Sequence, residues 1–280
     1  MSEKLYAVIG HPIGHTMSPF IHQRLFALAH TAGEYTVMDI RAEELAASIR
    51  TLNELAGYNI TIPHKQQIIP LLDRLDPKAA LYGSVNTVRN GAVREGFTTD
   101  PDGFLQALRY HDVPLSGKVV IVGCGGVART FAYEAVIAGC DVTIVSRPQS
   151  TDKQQALVRE IAEKLNGAAV KTALSDEVSG DIDLLINATP VGMYPHTDAM
   201  PVAEKVLSHC ANVFDAVYNP LHTRLLQAAR ANGARTADGM GMLVCQAVAA
   251  HTIWDGSTYM ADDIRQLIED SVQEQQKRFS

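Results

Sequence analysis

The feature that most constrains this chain is an apolar run ending in glycines halfway along it, Lys118-Val-Val-Ile-Val-Gly123-Cys-Gly125-Gly126. An apolar run of this length is typical of a buried parallel strand, and the residues after it have a helical pattern. Gly123 and Gly125 let the backbone turn and approach a pyrophosphate, which N–H groups at the start of the helix can bind. The pattern therefore predicts a dinucleotide-binding domain that begins near residue 105.

The segments around this glycine loop support a βαβ unit. The predicted helix covers residues 127–138 and ends before Gly139, and a second strand follows at residues 141–145. An enzyme selective for NAD usually carries Asp or Glu at the end of this second strand, but the chain has Ser146 and Arg147. That pair suits the 2′-phosphate of NADP, although Arg147 is also compatible with an ordinary solvated surface charge.

Length and charge limit the remaining possibilities. The chain has 280 residues, enough for two domains with separate cores, and a net charge of −7. That acidic balance, without any dense Lys/Arg run, argues against nucleic acid or an anionic membrane as a partner. The four cysteines are far apart and no histidine cluster accompanies them. We therefore expect reduced thiols, no metal site and a cytoplasmic protein, since no segment resembles a signal peptide or a membrane span.

Strand-like and helix-like segments also alternate before the glycine loop, which predicts a separate open α/β sheet. Strands are expected at residues 5–9, 34–38, 57–62, 84–88 and 92–97, with helices starting at residues 19, 42 and 65. Beyond the central βαβ unit, further strands of a doubly wound sheet are expected at residues 181–187, 212–217 and near 234, followed by apolar helices. We therefore predict an α/β protein with two open-sheet domains: a discontinuous one at residues 1–104 plus 242–280, and a Rossmann-like dinucleotide-binding domain at residues 105–241.

Lys65 is a candidate proton-transfer group. It follows Pro63-His64 at the predicted start of a short helix, where the helix dipole disfavours a cation and favours release of its proton. Such a lysine can take a proton from an alcohol while hydride leaves, as a nicotinamide enzyme without zinc requires. The alternative is a solvent-exposed lysine, which is the commoner environment for this residue type.

Polar residues at strand ends are candidates for binding a hydroxylated ligand. Asn86 and the alternating pair Asn59 and Thr61 could present amide and hydroxyl groups to it, although turn residues look similar. Asp100 precedes Pro101 at a predicted helix start, so capping of that helix is its default interpretation. A catalytic role would require one carboxylate oxygen to cap the helix while the other faces a cleft.

The loop after the first strand is a candidate carboxylate site. In His11-Pro-Ile-Gly-His15-Thr16-Met-Ser18-Pro19, hydroxyls precede a predicted helix whose N-cap is Ser18. Hydroxyls and helix N–H groups could gather there around a carboxylate, although capping alone would explain Ser18. The two histidines lie in a Pro/Gly loop and not on one helix face, so they do not suggest a metal site. Tyr218 and Gln246 fall at strand or loop ends that border an α/β cleft.

Taken together, these segments resemble the shikimate dehydrogenase family, in the same order along almost the whole chain. The motifs that carry the likeness are Thr16-Met-Ser18-Pro19, Asn59-Ile-Thr61-Ile-Pro63-His-Lys65, Val85-Asn86-Thr87 with Thr99-Asp100, Gly123-Cys-Gly125-Gly126-Val127-Ala128-Arg129 with Asn187-Ala-Thr189-Pro, and Asp238-Gly239-Met-Gly241-Met242-Leu-Val-Cys-Gln246. The resemblance implies NADPH-dependent, reversible reduction of 3-dehydroshikimate to shikimate in aromatic amino-acid biosynthesis. It also implies an N-terminal substrate domain, a Rossmann-like NADP domain and an active-site cleft between them.

The resemblance assigns a role to each matching residue. Lys65 would transfer the proton, and Asp100 would orient the reacting hydroxyl and hold the ammonium. Thr16 and Ser18 would bind the substrate carboxylate with Tyr218 nearby, and the other hydroxyl contacts would come from Thr61, Asn86, Thr99 and Gln246. The implied NADP contacts are Gly123, Gly125, Gly126, Val127, Ala128, Ser146, Arg147, Thr189, Gly239 and Met242. Closure of the cleft would exclude water before hydride transfer.

Departures from the family pattern bear on substrate and cofactor choice. Thr16 replaces the first serine of the carboxylate loop, Thr98 stands where asparagine is usual, and Pro101-Asp102 replace the usual residues after Asp100. No second arginine follows Arg147 to complete the 2′-phosphate clamp. A weak preference for NADP is therefore expected, with NAD as a possible cofactor.

Three alternatives stay open. The nearest is a quinate or dual quinate/shikimate dehydrogenase that uses NAD. A non-catalytic nucleotide-sensing regulator would not need Lys65 and Asp100 together, and a folate-linked dehydrogenase fits poorly with Asn86 and Asp100. The expected ligands are small molecules, and the expected assembly is a monomer or a homodimer.

Overall fold

Two six-stranded sheets organise the chain, one in each of two structural units. The first unit combines Met1–Gly103 with Leu243–Ser280, and the second is the continuous segment Phe104–Met242. The computed structural model describes residues 4–14 and 16–279. His15, one of the two loop histidines considered as metal ligands, lies outside the described residues.

The first segment of chain alternates strands and helices. In order, its elements are β1 (Lys4–Gly10), α1 (Ser18–Leu28), β2 (Gly33–Asp39), α2 (Leu45–Leu52), β3 (Gly57–Ile60), β4 (Arg74–Leu75), α3 (Pro77–Tyr82), β5 (Thr87–Arg89), β6 (Glu95–Phe97) and α4 (Asp100–Tyr110). Strand order in the sheet is β2-β1-β3-β5-β6-β4. Strands β1, β2 and β3 run parallel, whereas β5 is antiparallel to both β3 and β6, so this sheet is mixed.

The rest of the chain builds the second sheet and then two long helices. Its elements are β7 (Lys118–Val122), α5 (Gly126–Ile137), β8 (Asp141–Ser146), α6 (Thr151–Lys164), β9 (Lys171–Leu174), β10 (Ile182–Asn187), β11 (Cys210–Asp215), α7 (Arg224–Ala231), β12 (Arg235–Ala237), α8 (Gly239–Asp255) and α9 (Ala261–Phe279). All neighbours in the order β12-β11-β10-β7-β8-β9 are parallel. This is the strand order of a doubly wound dinucleotide-binding fold, with its topological switch point between β7 and β10.

Strand β1 shows why the first sheet is covered on both faces. Ala7 and Ile9 contribute to the buried cluster on one face, and Tyr6 and Val8 contribute to the cluster on the other. Alternate residues of a strand point to opposite faces, so a strand with no polar alternation is buried on both. The second cluster is completed by Trp254 of α8, whose indole N–H donates to the Val88 carbonyl at 2.9 Å.

The helix predicted from residue 65 does not form. Residues 62–68 are turns, followed by a 3₁₀ turn at Ile69–Leu71. Pro70 cannot lie inside an α-helix without breaking it, and the Lys65 carbonyl accepts a hydrogen bond from the Val85 N–H at 2.9 Å. The helix-dipole argument for Lys65 was therefore wrong, because no α-helix begins there.

Candidate active-site groups

The glycine loop of the second unit has the geometry that a pyrophosphate site needs. Gly123 has a φ of +120°, and a Cβ there would lie 3.0 Å from the Ala188 carbonyl oxygen, so only glycine fits without strain. A Cβ at Gly125 would have no neighbouring atom within 4 Å, which leaves this part of the loop open. The first turn of α5 follows at once with Gly126, Val127 and Ala128. Its first N–H groups lack intrahelical partners and can bind an anion.

A buried polar network shapes the loop after β10, across the switch point from the glycine loop. The Asn187 Oδ1 accepts hydrogen bonds from the N–H and the hydroxyl of Thr189, at 3.1 and 2.7 Å. The Asn187 Nδ2 donates to Asp215 Oδ1 at 2.9 Å, and the Thr223 hydroxyl donates to Asp215 Oδ2 at 2.6 Å. Burial raises the pKa of Asp215 to about 6, while these hydrogen bonds oppose the rise. Thr189 is therefore held by Asn187, and Asn187 is in turn held by Asp215, a side chain that the sequence interpretation did not use.

Two cations follow β8 along the chain, although only one was expected: Arg147 comes directly after the strand, and Lys153 lies in the first turn of α6. The Cys124 Sγ of the glycine loop lies 3.9 Å from the Ser150 carbonyl oxygen, just before α6. Burial raises the pKa of the Cys124 thiol, while the charges of Lys153 and Arg147 oppose the rise. Lys153 is therefore a second candidate cation, which the sequence interpretation missed.

The last predicted cofactor motif begins where α8 meets the end of β11. A Cβ at Gly239 would overlap the carbonyl oxygen of Ala216, so glycine is required for this close approach. Met242 is buried in the first turns of α8, and the half-buried Tyr218 follows β11. Gly239, Met242 and Tyr218 all belong to the second unit, whereas Thr16 and Ser18 belong to the first. The predicted role of Tyr218 beside those two hydroxyls stays a prediction.

In the first unit, Lys65 and Asp100 form a buried ion pair. The Lys65 Nζ lies 2.5 Å from Asp100 Oδ2, and the two side chains are 13% and 7% exposed. A surface lysine, the alternative interpretation, is therefore wrong for Lys65. Asp100 is the first residue of α4 and its other oxygen, Oδ1, accepts a hydrogen bond from the Asn86 Nδ2 at 2.8 Å. Both carboxylate oxygens bond to side chains, so helix capping does not explain this residue.

Three further predicted residues lie around this ion pair. Asn86 Oδ1 accepts from the Thr99 N–H at 2.8 Å, and Asn86 Nδ2 lies 3.0 Å from the Thr99 hydroxyl. Gln246 of α8 places its Oε1 3.4 Å from the Thr99 hydroxyl and 3.5 Å from Asn86 Nδ2. All three residues belong to the first unit and are at least nine-tenths buried. The structure therefore brings Asn86, Thr99 and Gln246 together with Lys65 and Asp100, while Thr61 lies directly after β3.

Thr16 and Ser18 are adjacent, but Ser18 is not the N-cap of α1. Ser18 is the first residue of α1, the N-cap is Met17, and no side-chain capping bond is made. Instead, the Thr16 hydroxyl accepts from the Ser18 N–H at 3.1 Å and donates to the Ser18 hydroxyl at 3.1 Å. The helix therefore starts one residue earlier than expected, and Thr16 lies just outside it. Two hydroxyls therefore lie side by side, as carboxylate binding needs.

The departures at residues 98 and 102 have different surroundings. The Thr98 hydroxyl is buried and has no hydrogen-bond partner among residues 4–14 and 16–279. Asp102 is half exposed and pairs with Lys78 at 3.1 Å, so it does not compete with Asp100 for Lys65. Across the described residues, no group of three or more His, Cys, Asp or Glu side chains is placed to hold a metal ion, and no helix is long and apolar enough to cross a membrane.

Comparison with known proteins gives consistent matches along the chain. A family model described as the shikimate dehydrogenase substrate binding domain matches residues 8–88. A shikimate dehydrogenase (NADP(+)) of Methanopyrus kandleri is 39% identical over 273 residues, covering 93% of this chain and 93% of that protein. A crystal structure of a shikimate dehydrogenase in complex with NADP+ has a TM-score of 0.87 and 35% identity, covering 96% of each chain. The shikimate 5-dehydrogenase of Thermus thermophilus, in complex with NADP(H) and shikimate, has a TM-score of 0.85 and 29% identity, covering 96% of this chain and 99% of that one.

Proposed function

This chain belongs to the shikimate dehydrogenase family, and we propose that it catalyses the reversible, NADPH-dependent reduction of 3-dehydroshikimate to shikimate. The observation that carries the proposal is the buried pair of Lys65 and Asp100, with Asn86, Thr99 and Gln246 around it. A proton-transfer group beside amide and hydroxyl groups suits a substrate with several hydroxyls. A nucleotide sensor without catalysis would not need such a pair.

In the proposed mechanism, Lys65 handles the proton. During reduction, its ammonium donates a proton to the substrate carbonyl oxygen as that oxygen gains negative charge, and during oxidation the neutral amine accepts the proton back. Asp100 holds the ammonium through the 2.5 Å contact and is itself held by Asn86. Thr16 and Ser18 bind the substrate carboxylate at the other end of the molecule, which fixes the orientation of the reacting carbon.

NADPH, when bound, supplies the hydride, and the second unit has groups that fit it. The pyrophosphate would lie over Gly125 and the first turn of α5, where no Cβ intrudes. Arg147 and Lys153 would bind the 2′-phosphate together with Ser146, which supports NADP over NAD. The contacts with Thr189, Gly239 and Met242 are proposed from the family pattern.

The test is shikimate-dependent reduction of NADP and NAD by the purified protein, with quinate measured in parallel. We expect turnover of shikimate with NADP, and loss of at least a hundredfold in kcat for Lys65→Ala. Lys78→Ala is the matched control, because Lys78 also pairs with a carboxylate of the same unit but at the surface. A preference for quinate and NAD would favour the dual dehydrogenase, and tight cofactor binding without any turnover would favour a sensor.

We also propose that this chain is cytoplasmic and that its ligands are small molecules. All four cysteines are free thiols, as expected in a reducing compartment. For the assembly, we propose a monomer or a homodimer, which light scattering distinguishes.

A further inference from the structure

Strand β2 is an end strand of the first sheet, and among the described residues only β1 pairs with it. It is seven residues long, Gly33–Asp39, and contains no Lys, Arg or Pro. The other end strands, β4, β9 and β12, have two to four residues, and each begins with Arg or Lys. Short length and cations are common means of keeping a sheet edge from pairing with another strand. Of the four end strands in the described part of the chain, β2 therefore lacks both protections.

One hydrogen bond identifies the backbone groups that point outward from β2. The Ile40 N–H, directly after β2, donates to the Gly10 carbonyl of β1 at 3.0 Å. Successive residues of a strand direct their N–H and C=O groups to opposite sides, so the even-numbered residues of β2 face β1. The odd-numbered residues therefore direct both groups away from the sheet, where another strand can bind them. These residues are Gly33, Tyr35, Val37 and Asp39.

These outward groups suit a second copy of the same strand in antiparallel orientation. With a two-fold axis at Thr36, Tyr35 of one copy faces Val37 of the other, and each such pair exchanges two N–H···O bonds. Gly33 faces Asp39 in the same way, so this register pairs the whole strand and uses every outward group. A register centred on Tyr35 or Val37 instead leaves residues at one end of each strand unpaired.

The side chains of β2 also fit this register. Neither Glu34 nor Asp39 faces another carboxylate, so no two like charges lie directly opposite each other. Val37, which is 38% exposed, lies beside Tyr35 of the other copy, and a β-branched side chain next to an aromatic one is a favourable cross-strand pair. Pairing therefore covers an apolar side chain that a single copy leaves partly in water.

We propose that two copies of this chain pair through the β2 edges of their first units, with Thr36 on the two-fold axis, so that their two sheets become one continuous sheet. The partner is a second copy because the register is self-complementary: each outward N–H of one β2 meets an outward carbonyl of the other. This surface contains no residue of the proposed reaction. The assembly is therefore testable whether or not the protein turns over shikimate.

The test measures the dimer dissociation constant of the full chain by analytical ultracentrifugation. Thr36→Lys places two ammonium groups opposite each other on the two-fold axis, and we expect it to raise that constant by about tenfold or more. Thr36 is exposed, so the new side chain does not enter the core of a single copy. Thr172→Lys is the matched control, because Thr172 is an exposed threonine of β9, an end strand of the second sheet. It should leave the constant within about twofold of the parent value.

Mixing two variants tests the position of the axis. Thr36→Lys and Thr36→Glu should each dimerise weakly alone, because like charges face each other across the axis. An equimolar mixture should restore the dimer, because an ammonium then faces a carboxylate at Thr36. Restoration also shows that both variants are folded. A mixture that dimerises no better than either variant alone would overturn the proposal.

A covalent bond reports the same contact. In this register the two Thr36 residues form a pair without mutual backbone hydrogen bonds, whose Cα atoms lie about 4.5 Å apart, close enough for a disulfide. Oxidised Thr36→Cys should therefore run as a covalent dimer on a non-reducing gel, whereas Thr172→Cys should match the parent with its own cysteines. A parent that stays monomeric at every concentration measured would overturn the proposal. So would a dimer that Thr36→Lys and Thr172→Lys weaken equally, or that Thr36→Lys does not weaken.

Discussion

The two units build their candidate sites from different materials. In the second unit, backbone makes most of the site: a glycine at φ +120°, the open position at Gly125 and the first turn of α5. In the first unit, side chains make it: Lys65, Asp100, Asn86 and Thr99 come from separate turns and strand ends, and Gln246 comes from a helix far along the chain.

That difference decides how each site tolerates change. A backbone site depends on a few positions where any Cβ is excluded, and most of its other side chains are free to vary. A side-chain site depends on hydrogen-bond partners, since removing one leaves another buried group unsatisfied. The following predictions test this contrast, beginning with the largest effect.

Asp100→Asn should damage catalysis most. The substitution keeps the shape but removes the charge that holds the Lys65 ammonium at 2.5 Å, so we expect kcat to fall by about 10²- to 10⁴-fold. Steady-state kinetics with shikimate and NADP measures it. Asp102→Asn, which removes a half-exposed carboxylate paired with Lys78, should stay within about twofold of the parent. Comparable losses in the two variants would contradict a special role for Asp100.

Gly123→Ala and Gly125→Ala should separate folding from binding in the backbone site. At Gly123, alanine must adopt a φ of +120° and approach the Ala188 carbonyl, which should cost about 2–3 kcal/mol of unfolding free energy. At Gly125 no atom lies within 4 Å of the new Cβ, so stability should stay within about 0.5 kcal/mol while the Kd for NADP rises. Urea unfolding and isothermal calorimetry measure the two quantities. Equal stabilities would show that the loop does not need Gly123.

The buried histidine pair of the first unit and the buried Asp215 of the second should make contributions to stability that change in opposite directions with acid. Burial lowers the pKa of His22 and that of His251, the latter to about 4, and the two rings are in contact at 3.0 Å. The unfolded chain therefore binds these protons more tightly, so the stability that the neutral pair contributes is lost as pH falls from about 6.5 toward 4. Burial raises the pKa of Asp215 to about 6, so its contribution is fully present below about 4 and is lost as pH rises through 6.

From pH 7 to pH 5, the first unit should lose about 2 kcal/mol from His251, and the second should gain about 1 kcal/mol from Asp215. Amide hydrogen exchange, corrected for the intrinsic pH dependence of exchange, measures protection in each unit. Asp215→Asn should abolish the gain in the second unit and leave the loss in the first. A pH response of the second unit that is the same in Asp215→Asn and in the parent would contradict the assignment.

Arg147→Ala should have the smallest effect. It removes one of the two cations that follow β8, so the Kd for NADP should rise by about tenfold while the Kd for NAD stays within about twofold. Calorimetric titration with both nucleotides checks this, and Lys153→Gln should act in the same direction. Lys205→Gln is the control, because Lys205 lies just before β11, which is three strands away from β8 in the sheet order. A similar loss for NAD would assign Arg147 to something other than the 2′-phosphate.

The contrast between the units also explains what the sequence could predict. The second sheet was predictable because parallel strands buried on both faces are continuous apolar runs, and the turn at Gly123 follows one of them. The strand order, with its switch point between β7 and β10, confirms the Rossmann-like prediction. The Lys65 pair was not predictable from local pattern alone, because it depends on residues 35 positions apart meeting in space. Only the resemblance to a family suggested it.

The errors in the first unit have two physical origins. Lys65 was assigned to a helix start by local rules, but a tertiary hydrogen bond from the Val85 N–H to the Lys65 carbonyl holds that segment in another conformation. Ser18 was assigned to the N-cap position, but the helix includes Ser18 as its first residue, and the Ser18 N–H donates to the neighbouring Thr16 hydroxyl. Lys153 escaped notice because it lies six residues after Arg147, inside α6 and not in the segment directly after β8.

Trp254 determines the order in which the two units can finish folding during synthesis on the ribosome. It fills the space beside Gly57 and completes the cluster that contains Tyr6 and Val8. The second unit is one continuous segment, Phe104–Met242, and all of its residues have been synthesised before Trp254 exists. Tyr6 and Val8 are therefore synthesised before the second unit but reach their final packing only after it. The second unit, which would bind the cofactor, can fold while the first unit, which carries the proposed catalytic groups, still lacks its C-terminal helices.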